Sequence, residues 1–457
     1  MENYTTLKKK EGSYEFYGEE PEKINNIVVL EEYKKVKNFI EHSEDQVLFV
    51  SGKAGTGKSM LIKYIDAVFN KSKLNYIKVA PTGVASINIS GQTVHSMFGL
   101  PISIITRRNI KLRGDKAKIL KKVELLIIDE VSMLRADTMD AINWTMQEAK
   151  LNNKPFGGVK IVIVGDLYQL LPVLREEEKD LFFQECGYKS ELFFHAKSFQ
   201  NISLRYLELT KIQRQKDLEY ITALNGIRVN EKTRDNLGYI NRNCYGLKGE
   251  KAKIKRDITL TTTNYISEHI NEAALNKIKA PKTTYKAKKT GTFKTKMPTP
   301  ENLDLKVGAQ VMFTRNSELG LWVNGTLGEV VSLEKKFIKV KLKESGIIHT
   351  VERAKWENTK YSIEGGKIKQ HVIGTFEQFP LMLAWAITIH KSQGMTVDNV
   401  KIDLGQKSAF AVGQVYVALS RCRTVEGISL NRPISLNEIQ VNNYVKDFYK
   451  SMENLKI

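Results

Sequence analysis

Between Ser51 and Ile65 the chain reads SGKAGTGKSMLIKYI, and no other stretch constrains the fold as strongly. The spacing Gly52-x-x-x-x-Gly57-Lys58-Ser59 is that of a phosphate-binding loop. Small residues from Gly52 through Ala54, Gly55, Thr56 and Gly57 let backbone N–H groups close around an anion. Lys58 then reaches the β- and γ-phosphates, and the Ser59 hydroxyl is a Mg²⁺ ligand. Gln46 to Val50 ahead of the loop reads as a buried strand, while Leu61, Ile62, Ile65, Val68 and Phe69 behind it recur at helical spacing. A strand, a glycine loop and a helix N-terminus make an anion site. ATP or another nucleoside triphosphate, with Mg²⁺, is the expected cofactor.

The rest of the chain extends this unit into an α/β architecture. Tyr76 to Ala80, Val123 to Asp129 and Lys160 to Asp166 are short apolar runs ending in polar or turn residues, as buried strands of a parallel sheet do. Asp257 to Thr263 and Asn399 to Leu404 begin a second such series. With 457 residues, more than one core is required. The expected organisation is a first domain over 27–200 and a second over 201–300 and 377–457. Between the two parts of the second, residues 301–376 switch to short β runs separated by Gly, Asn and charged turns, which predicts a small barrel-like insertion. Residues 1–26 are charged and aperiodic, and are expected to form a loosely docked arm. The basic run Lys282 to Lys296 is read as a solvated linker.

Lys and Arg number 71 against 51 Asp and Glu, a formal excess of +20 that suits a polyanionic partner such as nucleic acid. Cys186, Cys244 and Cys422 are scattered without a C-x-x-C pair, so neither a disulfide framework nor a metal-thiolate site is indicated. The polar N-terminus and the lack of a long apolar run imply a soluble, intracellular, cytoplasmic protein with no membrane partner.

Hydrolysis requires a metal ligand, a group acting on water, and cations for the charge that develops on the γ-phosphate. In LLIIDEVSM, Asp129 can hold Mg²⁺ and Glu130 can act on the attacking water, both at the end of an apolar strand. Gly165-Asp166-Leu167-Tyr168-Gln169 closes the next strand, which puts Gln169 at the same sheet edge, where α/β proteins bind ligands.

The order of motifs resembles a known family. After the phosphate loop come APTGVASINISGQTVHSMF, DEVSM, GDLYQLLPV, LTKIQRQ, AWAITIHKSQGMT and VYVALSRCR. The set is similar to the superfamily 1B DNA helicases of the petite-integration-frequency family, in its bacterial form, across about Tyr33 to Arg432. The resemblance implies two RecA-like domains that clamp ATP, translocate 5′→3′ on single-stranded DNA and unwind forked or tailed duplexes in replication, recombination and repair. It also implies that the β-rich insertion is partly SH3-like. Arg214 in IQRQ and Arg421 in ALSRCR would reach the γ-phosphate from the second domain, and Gly394 with Lys391, Ser392 and Gln393 would couple nucleotide to DNA. Thr82, His95, Ser96, His390 and Lys391 would meet the DNA. The stretch 98–121, with Arg107, Arg108, Lys111 and Arg113, would form a strand-separating wedge. A monomer is expected.

Two departures stand out. Lys34 occupies the place where the family's adenine-reading Gln is expected, which leaves selectivity for ATP over GTP open, and Leu171 replaces a proline in QLLPV. Trp322 and Trp356 are candidates for base stacking, with Trp385 read as core. An RNA or RNA–DNA translocase, or a nucleotide-switched DNA-binding module without processive movement, remain alternatives at the level of sequence.

Overall fold

The computed structural model of the chain describes residues 7–10, 13–16, 23–24, 27–70, 74–101, 103–112, 114–200, 202–249, 258–292, 297, 299–315, 317, 319–322, 324–364, 367–405 and 411–457. Its first sheet has six parallel strands in the order Leu204–Leu209, Val47–Gly52, Lys160–Gly165, Leu125–Ile128, Tyr76–Ala80, Gln92–Thr93. The expected strands pair as a parallel sheet, and their alternation supplies two cores. Val47 and Phe49 enter one hydrophobic cluster, Leu48 and Val50 the other, so the sheet is covered on both faces. Each such fully buried side chain stabilises the fold by roughly 1.5–3 kcal/mol. Because the strands run parallel, the phosphate loop, Asp129, Glu130 and Gln169 leave the sheet at one edge.

The second parallel sheet has four strands, in the order Ala386–Thr388, Ile258–Thr261, Val400–Asp403, Ile428–Leu430. Helices Leu218–Val229, Thr233–Cys244 and Gln414–Leu419 pack on it through Tyr220, Leu224, Ile227, Ile240, Val415 and Leu419. The chain is thus an α/β protein with two parallel-sheet units.

The structure departs from the expected organisation in three places. Leu204–Leu209 is the edge strand of the first sheet, not the start of the second domain, because its register against Val47–Gly52 buries Tyr206, Leu207 and Leu209. The C-terminal helix Asn443–Met452 also returns to the first unit. Its Val445 and Met452 are buried there, Phe448 stacks on Phe194 at 4.2 Å, and the Tyr449 and Ser51 hydroxyls share a 2.6 Å hydrogen bond. Finally, the basic run read as a linker carries strands Thr283–Lys286 and Lys288–Gly291, paired with Asn302–Leu305 and Lys367–Gln378. Its alternating lysines belong to the exposed face, which hides the strand pattern behind charge; residues 293–296 lie outside the described ones.

The inserted region is β throughout its described length. Five antiparallel strands run in the order Ile348–Glu352, Phe337–Leu342, Leu327–Leu333, Gln310–Phe313, Leu381–Leu383. Beside them a long hairpin, Ala354–Glu364 with Lys367–Gln378, approaches the helix Gly114–Lys122 of the first unit. The N-terminal arm lies mostly outside the described residues, although Leu7–Lys10 and Ser13–Phe16 pair as an antiparallel ladder.

Candidate nucleotide site and nucleic-acid surface

The loop after Val47–Gly52 folds as its glycines require. Gly55 has φ +85°, and a Cβ there would lie 2.6 Å from Arg214 Cβ, so only glycine fits. Lys58 opens the helix Lys58–Phe69, and its Nζ donates to the carbonyls of Gly52 (2.6 Å) and Lys53 (3.1 Å). Thr56 Oγ1 donates to Lys53 O at 2.9 Å, bracing the loop. Burial pulls the Lys58 ammonium pKa down, while Asp166, Glu130 and Asp129 act against it.

The two carboxylates sit as the sequence implies. Asp129 follows Leu125–Ile128, and burial together with the neighbouring Glu130 charge pushes its pKa up to about 7. Glu130 adopts a left-handed conformation at φ 49°, and burial raises its pKa against the pull of Lys58 and Arg421. Two crowded, desolvated carboxylates beside a hydroxyl-bearing loop suit a divalent cation, whose charge would relieve their repulsion. Ser59 and Asp129 could serve as its protein ligands.

Both arginines come from sequence beyond the first sheet and reach the same cleft. Arg421 is 2 % exposed; its Nε donates to Val417 O (2.9 Å) and its Nη2 to Ser420 Oγ (2.8 Å). Burial and the nearby Arg214 lower its pKa to about 9, which keeps it charged at neutral pH. Gln213 N donates to Gly55 O at 2.9 Å, holding the Arg214 segment against the loop. A cavity of about 360 Å³ is lined by Ala54, Gly55, Gly57, Lys58, Ser59, Glu130, Gln169, Arg214, Gly394 and Arg421. Asp129 is buried and acts electrostatically on Lys58, and a Cβ on Gly52 would meet Thr56 Oγ1 within the loop.

Sequence reasoning missed several residues here. Gln213, Thr396 and Arg423 also line the cavity, and the Tyr416 hydroxyl accepts from Ala54 N at 3.0 Å. The reading of Lys34 is corrected. Lys34 pairs with Glu31 at 3.0 Å on the outer face of the helix Glu31–His42, whereas its neighbour Tyr33 is buried and donates to Gly57 O at 2.8 Å. One step along a helix turns a side chain by about 100°, and the buried positions Tyr33, Val36 and Ile40 define the inward face. Helical periodicity alone carried that signal.

The candidate DNA residues divide into groups. Thr82 caps the helix Gly83–Asn88 by accepting from Ala85 N, and His95 and the exposed Ser96 follow the adjacent strand Gln92–Thr93. These share one sheet end. His95 is half-buried, and burial and Arg135 lower its pKa. His390, also lowered by burial, and the exposed Lys391 follow Ala386–Thr388 of the second sheet. Arg107 and Arg108 are exposed on a turn, but they are not gathered with the others. Arg107 lines a cleft with Trp144 and Asn152 at the far end of the helix Ala136–Lys150, whose start faces His95 through Arg135. Arg113 lies outside the described residues. Trp356 is 4 % exposed against Phe376, and Trp322 stacks on Phe313 at 4.4 Å, so both serve the β-rich core.

Comparison with known proteins identifies the family. A family model described as PIF1-like helicase matches residues 29–236, and one described as a helicase matches 332–456. The Pif1 ATP-dependent DNA helicase of Bdellovibrio bacteriovorus is 32% identical over 420 residues, covering 89% of each chain. The chain belongs to the PIF1-like helicase family. The PIF1 ATP-dependent DNA helicase of Danio rerio is also 32% identical, but the chain spans only 61% of its length. Among solved PIF1-like structures, Bacteroides sp Pif1 in complex with ADP-AlF4 is 38% identical with a TM-score of 0.84, covering 93% of this chain and 97% of that one. Bacteroides Pif1 bound to ssDNA superposes less well, with a TM-score of 0.66 at the same identity. The PIF1-like assignment also fixes the architecture as two RecA-like domains.

Proposed function

We propose that this chain is an ATP-dependent DNA helicase that translocates 5′→3′ on single-stranded DNA and separates forked or tailed duplexes, acting inside the cell as a monomer. The observation that carries the reading is the split cavity. Lys58, Ser59, Glu130 and Gln169 enter it from the first sheet, and Arg214 and Arg421 from the opposite side. A site divided in this way is complete only when its halves are together, so nucleotide state biases domain position.

In this reading Lys58 and the loop N–H groups hold the β- and γ-phosphates, and Gln169 contacts the γ-phosphate. Glu130 orients the attacking water and takes its proton, a task suited to a carboxylate whose pKa burial has raised. Arg214 and Arg421 stabilise charge on the transferring phosphoryl group. A Mg²⁺ ion held by Ser59 and Asp129 would neutralise phosphate charge. Thr82, His95, Ser96, His390 and Lys391 would track the strand across both sheets, with the Arg107–Arg108 turn as part of a wedge and the five-stranded insertion as an SH3-like module. The curated relatives are named as DNA helicases, and Bacteroides Pif1 binds ssDNA. The lower similarity to that DNA-bound chain accords with a domain rearrangement on DNA.

The test is ATPase activity with single-stranded DNA against RNA, beside unwinding of duplexes with a 5′ or a 3′ tail. DNA-stimulated turnover and unwinding from the 5′ tail, both lost in Lys58→Ala, are expected. Stimulation by RNA alone, or turnover without unwinding, would replace the proposal with one of its alternatives.

A further inference from the structure

The polar cluster beneath Gln169 holds a cation that the mechanism above does not use. Arg228, on the second-domain helix Leu218–Val229, is 5 % exposed, and Asp166, at the end of the first-sheet strand Lys160–Gly165, is 1 % exposed. The guanidinium forks onto the carboxylate, with Nη2 donating to Oδ1 at 2.8 Å and Nε lying 3.2 and 3.3 Å from the two oxygens. Its Cζ lies over the Tyr168 ring, 4.4 Å from the ring centre, and that ring itself stacks on Tyr449 at 5.0 Å. Asp166 in turn accepts from Gln169 Nε2 at 3.3 Å and from Tyr168 N at 3.2 Å. Burial acts to raise the Asp166 pKa, but Arg228 and Lys58 prevail and hold it low.

A carboxylate only accepts, so Asp166 must engage the amide nitrogen of Gln169 rather than its oxygen. One amide N–H is thereby anchored, which leaves the second N–H and the carbonyl for a ligand in the cavity that Gln169 lines. Backbone packing reinforces this from the same side: a Cβ on Gly413 would lie 2.5 Å from Gln169 O and 2.6 Å from Tyr168 O. The loop carrying Gln169 is therefore gripped from the second domain at two points.

We infer that Arg228 is a positioning residue for ATP hydrolysis: through Asp166 it sets the Gln169 amide, so that Gln169 is correctly presented only when the second domain is seated on the first. Lysine keeps the charge but cannot reproduce a planar fork stacked on an aromatic ring. The inference rests on the proposed role of Gln169 at the γ-phosphate.

The experiment compares Gln169→Ala, Arg228→Lys and Asp166→Asn, with each of the latter two also placed in the Gln169→Ala background. The readouts are kcat and KM for DNA-stimulated ATP hydrolysis, ATP-analogue affinity and thermal melting. Arg228→Lys and Asp166→Asn are each expected to lower kcat at least tenfold with KM and analogue affinity within about threefold of the parent. Neither should lower kcat further once Gln169 is alanine. Equal loss in both backgrounds, or loss that follows the fall in melting temperature rather than Gln169, would make Arg228 a structural residue and overturn the inference while leaving the helicase reading intact. Unchanged turnover in Gln169→Ala would instead remove the premise.

Discussion

Arg214 Nη1 donates to the carbonyl oxygen of Ser420 at 2.9 Å, which ties one cleft arginine to the residue directly before the other, Arg421. Gln215 Nε2 reinforces the link with bonds to Ser420 O (3.1 Å) and Cys422 O (2.9 Å). The two cations are presented as one rigid pair. Arg421→Ala should therefore keep single-stranded DNA affinity and most ATP affinity but lose turnover by on the order of a thousandfold. The change in DNA affinity caused by a non-hydrolysable ATP analogue should vanish with it. Parental ATPase, or a persisting response to the analogue, would show that Arg421 is not the link between domains.

Glu130→Gln removes the proton acceptor but keeps the shape. ATP and DNA should still bind while hydrolysis falls by roughly 10²–10⁴-fold, the usual contribution of a general base. The variant should then remain on DNA in the presence of ATP, measured as a slowed off-rate. Loss of ATP binding would assign Glu130 to structure instead.

Asp129 gives a pH signature in the protein without nucleotide or metal. Its folded pKa of about 7 lies above the ordinary 3.8, so the folded chain holds that proton more tightly than the unfolded chain. The stabilisation is full below pH 3.8 and is lost as pH rises to about 7. Asp129→Asn should show a melting temperature that falls less than the parent's across this window, and at pH 8 should melt higher by on the order of a few degrees. Parallel pH profiles for the two proteins would exclude a raised Asp129.

Gly55→Ala meets both an unfavourable φ of +85° and Arg214 Cβ at 2.6 Å. The loop must move away from Arg214, so ATP affinity and turnover should both fall by at least tenfold with little change in DNA affinity. A variant with normal kinetics would mean that the two segments separate freely during turnover.

The charge excess of +20 predicts strong salt dependence. For single strands log K should fall with log salt by about 0.7 per phosphate neutralised, so contacts to about four phosphates give a slope near −3. A flat response would place the excess charge away from the DNA path.

The nucleotide half of the site was legible because its chemistry is local. The loop, the Asp129–Glu130 pair and Gln169 each sit at a strand end, where an apolar run followed by polar residues identifies them. Arg214 and Arg421 were assigned from motif resemblance, since nothing in spacing says that residues 207 apart in sequence share a cleft. Arg228 shows the limit plainly. No motif singles it out, and only the partner Asp166, 62 residues earlier, reveals its place in the buried cluster. Tyr33 was lost for a smaller reason, a one-residue shift on a helix whose inward face was otherwise clear. The strands Thr283–Lys286 and Lys288–Gly291 and the return of Asn443–Met452 were hidden because pairing and docking depend on distant partners rather than on the segments themselves.

The return of that last helix makes the second domain a cassette spliced into the first. The chain crosses the cleft twice, once between Leu209 and Leu218 and again between Leu430 and Asn443, and it is anchored on the near bank at both ends. A body moored by two ropes rocks about the line joining them and does not swing freely. One of those ropes contains Arg214, so tension along the tether is felt at a group that lines the cavity itself.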